Sequence, residues 1–243
     1  MFQQYENYTT DDHTTWKLLF ERQEANLSGK ACTDFLLTLS DLGPELVSDQ
    51  IPNFRALNKR LWASTGWTIE VVPGLIPVGE FFELLSRRRF CSSTWIRKRE
   101  QLDYLEEPDM FHDIFGHIPL LTNPTYADFM QKFGEIGTKY AGNPAIERQL
   151  ERLYWFTIEF GLLMERGQPR IYGAGLASSF GEANQIFSGN ISILPFEIEK
   201  IINHDFRNDV MQTEYYAIAS FEALWKSLDG IDALLGKGVA AQV

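Results

Sequence analysis

EEPDMFHDIFGHIPLL, residues 106–121, sets Asp109, His112, Asp113 and His117 into an otherwise apolar run. Core packing alone does not ask for these four side chains. The stretch predicts a helix that includes Asp109 to Phe115. Five steps of an α-helix rotate two side chains roughly 140° apart, so His112 and His117 cannot share a face of a straight α-helix. Gly116 can end the helix and Pro119 forbids its easy continuation, which would leave His117 just past the end with its ring turned back toward His112. On spacing alone, two unrelated histidines is the commoner reading, because this is not the H-x-x-x-H pair of a helical metal site.

A second stretch changes that balance. YWFTIEFGLL, residues 154–163, reads as part of a long helix over 144–166 that is apolar almost all the way round, with Glu159 in its middle. A carboxylate there must be paired, protonated or bound to a metal, because burying it alone is very costly. Arg152 and Arg166 are each about two turns away, roughly 10 Å along the axis, and are not easy partners. Two imidazoles and one carboxylate form a facial triad that suits Fe(II) with open positions. The same set suits catalytic zinc, and ligand type does not choose between them.

The rest of the chain reads as one domain of packed helices. Its 243 residues are enough to bury a large core, and they show no repeat, low-complexity tract or linker. Helical patterns cover 12–28, 31–41, 53–64, 78–88, 124–140, 195–203 and 212–228. WTIEVV, residues 67–72, is the best strand, closed by Pro73 and Gly74. The fold class expected is mainly α with a few short strands, and the tail GKGVAAQV reads as frayed. The net charge of −11 argues against a nucleic-acid or anionic-membrane surface. Arg87, Arg88, Arg89, Arg97, Lys98 and Arg99 crowd one region and read mostly as a solvated basic face. Two cysteines, Cys32 and Cys91, give no disulfide framework. With no signal peptide and no apolar run of transmembrane length, a cytoplasmic protein is expected.

DYLEEPDMFHDIFGHIPLLTNPTYADFM (103–130), RLYWFTIEFGLL (152–163) and IYGAGLASSFGE (171–182) together resemble the catalytic domain of the pterin-dependent aromatic amino acid hydroxylases. The closest likeness is to the short bacterial phenylalanine 4-hydroxylases, and it runs from about Trp16 to about Leu228. The resemblance implies a single catalytic domain over 1–243, with no room for the regulatory domain or the oligomerisation helix of animal members, and so a monomer. It implies Fe(II) held by His112, His117 and Glu159, a tetrahydrobiopterin or related tetrahydropterin, and O2 as co-substrate. By position the pterin would meet Gly74, Leu75, Ile76, Phe81, Asp113 and Tyr154. Arg97 would grip the substrate carboxylate, a task suited to a guanidinium fork. Ser178 would bond the same end, and Pro108, Trp155, Phe160 and Gly175 would wall the aromatic slot. Leu105 stands where animal members carry a threonine, which removes one hydrogen bond to the substrate.

The activity implied is hydroxylation of L-phenylalanine to L-tyrosine. Trp155 argues mildly against the alternative, a tryptophan 5-hydroxylase, because those enzymes tend to carry a smaller aromatic there. From other classes, the chain reads as a His2Glu zinc hydrolase with Asp113 as base, or as a non-catalytic amino-acid binder. Intact His112, His117 and Glu159 speak against the last.

Overall fold

The computed structural model describes every residue except Tyr104, Glu106 and 241–243, and describes the backbone alone for 236–240. Helices α1 (Thr10–Leu27), α2 (Thr33–Asp41) and α3 (Phe54–Thr65) come first. A capping box starts α1, in which Thr9 accepts from the Asp12 amide and Asp12 accepts from the Thr9 amide. Asn53 caps α3 in the same sense. Strand β1 (Thr68–Val71), helix α4 (Val78–Ser86) and strand β2 (Arg89–Ser92) form a parallel crossover unit, with Thr68 opposite Arg89.

Helices α5 (Pro124–Lys139) and α6 (Pro144–Tyr154) each begin with an Asn cap followed by Pro at the first helical position. Strands β3 (Leu162–Glu165) and β4 (Gln168–Ile171) make a hairpin. Short helices α7 (Ala174–Ser178) and α8 (Phe180–Gln185) follow. Strand β5 (Ser192–Pro195), helix α9 (Ile198–Ile201), strand β6 (Glu214–Ile218) and helix α10 (Phe221–Ala240) complete the chain. The second sheet has the order β4-β3-β6-β5. The fold is mainly helical with six short strands among the described residues, as the sequence predicts in outline.

Three details differ from the sequence expectation. The helix read over 144–166 stops at Glu159, and the chain turns directly into β3, whose Leu162 and Leu163 pair with Ala217 and Ile218 of β6. The pattern over 212–228 divides into strand β6 and helix α10, with Tyr215, Tyr216 and Ala217 buried in the sheet. The first part of the tail, 236–240, is helical in α10, while 241–243 lie outside the described residues. The basic crowd is mostly solvent-exposed, as expected, with Arg87, Arg89, Lys98 and Arg99 all exposed. Arg87 pairs with Glu83, Arg88 with Asp128, Arg89 with Glu70 and Arg99 with Asp11, while Arg97 is buried.

The core is aromatic where it supports the site. Trp16 and Phe20 of α1 pack edge-on against Phe111 and Phe115, whose rings stack at 4.9 Å. That packing fixes the apolar face of the 110–117 segment and turns its polar face the other way. Helix α4 crosses α5 closely at Gly134, where an added Cβ would strike the Ser86 amide and come within 2.6 Å of Leu85 Cβ. Backbone on the far side cannot yield. Gly134→Ala is expected to destabilise the fold by about 1–3 kcal/mol, lowering the melting temperature by about 2–12 °C for a chain of this size. Thermal melting monitored by circular dichroism checks this, and an unchanged midpoint would disprove the close crossing.

Candidate metal centre

Both halves of the centre stand on π-helical turns. The first spans His112–His117 and the second Trp155–Glu159. A π-helix closes hydrogen bonds from residue i to i+5, so residues five apart return to one face. His112 and His117 therefore face the same way within one widened turn. This corrects the expectation that the helix ends at Gly116 and the chain doubles back. The second turn ends at Glu159, with the Phe160 amide donating to the Trp155 carbonyl at 2.9 Å. Gly173 holds this end tightly: an added Cβ would strike the Glu159 carbonyl and lie 2.5 Å from the Gly161 amide nitrogen. Only glycine lets the loop before α7 press against the carboxylate's own backbone.

The three side chains converge. His112 Nε2 lies 3.2 Å from His117 Nε2, and Glu159 lies 3.1 Å from His117 Nε2 and 3.6 Å from His112 Nε2. One ligand atom from each falls within 4.8 Å of the others. The Ser178 hydroxyl donates to the Ala174 carbonyl at 2.8 Å, so toward His112 Nδ1, 2.9 Å away, it accepts. His112 then carries a proton on Nδ1 and turns Nε2 toward His117 and Glu159. Burial would lower its pKa, but the Glu159 charge outweighs burial and raises it, so positive charge at Nε2 is favoured. A metal cation at their common focus supplies that positive charge, and the donor set of two imidazoles and one carboxylate fits Fe(II) with open positions.

The electrostatics agree. Burial pushes the His117 imidazole below its ordinary pKa against the pull of Glu159, which keeps it neutral and able to ligate. Burial would raise the Glu159 carboxyl, but the two imidazoles outweigh it and hold the group below the usual carboxylate range. Asp113 is pushed up to about 6, mainly by burial, although His112 and the Ser93 amide work against the rise. The Tyr154 hydroxyl sits well above its ordinary range because of burial and the nearby Glu159.

A cavity of about 310 Å³ opens over the triad. Gly74, Leu75, Ile76, Phe81, Asp113 and Tyr154, the six residues predicted to meet a pterin, all line it. Phe81 meets Tyr154 edge-on at 5.2 Å, and Asp113 accepts from the Ser93 amide at 2.9 Å. Of the predicted substrate residues, Pro108 and Trp155 line the cavity. Phe160 packs on Trp155 at 4.5 Å, and Gly175 lies against Phe160, where an added Cβ would come within 3.0 Å of the ring. Leu105 is half-buried outside the cavity lining. Ser178 is engaged with His112, as above. Arg97 is buried and is not among the residues lining the cavity, and it gives Nε and Nη2 to Asp109, both at 2.8 Å.

Asp109 answers part of the question its stretch raises. It is fully buried and also accepts from the Arg97 and His112 amides. Burial would raise its carboxyl, yet the Arg97 guanidinium and these amides bring it below the ordinary range. The sequence assigns it no role, because its partner stands twelve residues away on a loop. Several further lining residues, Cys91 and Phe206 among them, carried no site signal in the sequence. Cys91 is the third residue of β2, and Phe206 comes from a loop with no motif.

This fold and donor set define a mononuclear non-haem metal enzyme with room for an organic cofactor. The chain belongs to the biopterin-dependent aromatic amino acid hydroxylases, whose family model matches residues 4–238. It is 47% identical over 226 residues to the phenylalanine-4-hydroxylase of Ralstonia nicotianae, covering 93% of this chain and 71% of the relative. It is 44% identical over 224 residues to that of Chromobacterium violaceum, covering 92% and 74%. The crystal structure of the C. violaceum enzyme with bound iron(III) and 7,8-dihydrobiopterin superposes with a TM-score of 0.92 at 43% identity, covering 99% of this chain and 86% of that one.

Proposed function

We infer that the protein is an iron- and tetrahydropterin-dependent monooxygenase that converts L-phenylalanine to L-tyrosine with O2. The observation that carries this is the convergence of His112, His117 and Glu159 in a cavity whose lining is largely apolar and aromatic. His112, His117 and Glu159 hold the iron, which with the reduced pterin supplies the reduction of dioxygen and delivery of one oxygen atom to the ring. Glu159 and the two imidazoles act as ligands and not as proton carriers. Ser178 keeps His112 in the tautomer that presents Nε2. Loss of such a partner typically weakens a metal site about 10–100-fold. Ser178→Ala is therefore expected to raise the Fe(II) dissociation constant by about that factor, measured by competition with a chelator. An unchanged constant would remove Ser178 from this role.

Phe81 and Tyr154 give the pterin an aromatic wall, and the backbone of Gly74 to Ile76 edges the same space. Asp113 faces the cavity where it can hold or return a proton near the pterin. The Arg97 guanidinium is pinned to Asp109 through Nε and Nη2, and among the described residues no hydrogen bond engages Nη1, the atom that would bind the substrate carboxylate. Trp155 and Pro108 flank the substrate ring, and the apolar lining keeps bulk water from it. A monomer in the cytoplasm, with no nucleic-acid or membrane partner, is part of the same reading. In support, the net charge is −11 and no described helix is long and apolar enough to cross a membrane.

Purified protein given Fe(II), a tetrahydropterin, O2 and phenylalanine, tyrosine or tryptophan in parallel tests the assignment. Tyrosine formed from phenylalanine only with both iron and pterin is the expected result. Turnover with zinc and no O2 would support hydrolysis instead.

A further inference from the structure

Phe206 reaches the cavity from the loop 203–213, between α9 and β6. Its ring lies flat on Trp155, with centroids 4.4 Å apart and 13° between planes. Trp155 is thereby packed between Phe206 and Phe160, which sits 4.5 Å away. The Arg148 guanidinium lies over the Phe206 ring at 4.7 Å. Stacked aromatic and cation–π contacts of this kind favour one ring orientation over the alternatives.

The loop carrying Phe206 is tied to the helix that leads to Glu159. Arg152 donates to the Ile202 carbonyl at 2.8 Å and pairs with Asp205 at 2.6 Å. Trp155 Nε1 donates to Gln212 Oε1 at 3.2 Å, and buried Gln212 in turn donates to the Arg207 and Val210 carbonyls at 2.6 and 3.0 Å. Arg148, Arg152 and Trp155 stand four and three residues apart, on one side of α6 and its π-helical extension. Phe206 and the metal ligand Glu159 are thus positioned from the same element, although 47 residues separate them in sequence.

We propose that Phe206 is a specificity-determining residue for the hydroxylation: clamped against Trp155, it sets the width of the aromatic slot, admitting a benzene ring and turning away an indole. The cavity of about 310 Å³ must take a pterin as well as the amino acid side chain. A wall held on both faces cannot swing aside to make room. Discrimination by size in an apolar pocket is worth about 10–200-fold, and one half-buried ring fixed in the wall is enough to supply it. This deepens the phenylalanine reading and rests on it.

The test titrates the iron-loaded full chain, as wild type, Phe206→Ala and Phe206→Leu, with L-phenylalanine and L-tryptophan by calorimetry. It also measures kcat/KM for both amino acids with tetrahydrobiopterin. The preference for phenylalanine over tryptophan is expected to fall by about tenfold or more in Phe206→Ala and by less in Phe206→Leu. Iron content and the pterin KM should stay at wild-type values. A preference within twofold of wild type in both variants, or an equal loss for both amino acids, overturns the proposal. Should Phe206→Ala fail to fold, Gln212→Leu, which frees the Trp155 indole, takes its place with the same expected fall. A wild type that binds phenylalanine preferentially but turns over neither amino acid would sink the hydroxylase reading and leave the slot to be judged by binding.

Discussion

Glu159→Gln is expected to purify folded and nearly free of iron, with phenylalanine turnover lost in proportion. The amide keeps the side chain's shape, so packing around Phe160 and Gly173 is preserved. It removes the charge that the two imidazoles stabilise. Loss of an outer partner to a ligand already costs a metal site about 10–100-fold, so loss of a ligand itself is expected to cost about 100-fold or more in Fe(II) affinity. The fold should not suffer. A buried carboxylate is expensive without its cation, and the melting temperature of the iron-free variant should equal or exceed that of the iron-free wild type. Iron bound at one per chain with wild-type affinity would refute the ligand assignment.

Asp109→Ala carries the second large effect, and it falls on both stability and substrate binding. Arg97 and Asp109 are 8% and 0% exposed, and the substitution leaves a buried guanidinium without its counter-charge. Breaking one side of such a pair costs about 3–5 kcal/mol, which for a chain of this length lowers the melting temperature by about 6–20 °C. The double substitution Arg97→Met with Asp109→Leu removes both charges and is expected to recover most of that stability. It should not recover the phenylalanine KM, because Arg97, left unpinned in the single variant, is absent from the double one. Equal KM in the double variant and wild type would show that Arg97 has no part in binding substrate. A loss of less than about 1 kcal/mol in Asp109→Ala would show that the pair does not hold the fold.

Much of the helical framework was legible from caps and periodicity, because both are local. Asn-Pro at 123–124 and 143–144, the Thr9–Asp12 box and the apolar face of Trp16, Leu19, Phe20 and Leu27 are read over one or two turns of chain. Strands β3 to β6 were not legible, because four- and five-residue strands leave no distinct period. Leu162 and Leu163 simply prolong the apolar run of the helix before them. The tyrosines of β6 are strand residues only because β3 and β5 lie beside them.

The same division runs through the site. The residue types alone determined the chemistry: His112, His117 and an unpartnered Glu159 in apolar surroundings require a cation, a proton or an ion pair whatever the fold. The cofactor loop at Gly74 to Ile76 and Phe81 was implied only by the family resemblance, since by themselves these residues read as an ordinary strand, turn and helix. What the tertiary structure alone decided was geometry. An α-helix places residues five apart on different faces, and it is packing against α1 and α7 that goes with the wider turn bringing His112 over His117. Asp109 meeting Arg97, Ser178 meeting His112 and Phe206 meeting Trp155 join residues 12, 66 and 51 positions apart. No local pattern encodes such pairs, because the free energy that selects them arises only when distant segments are buried against one another.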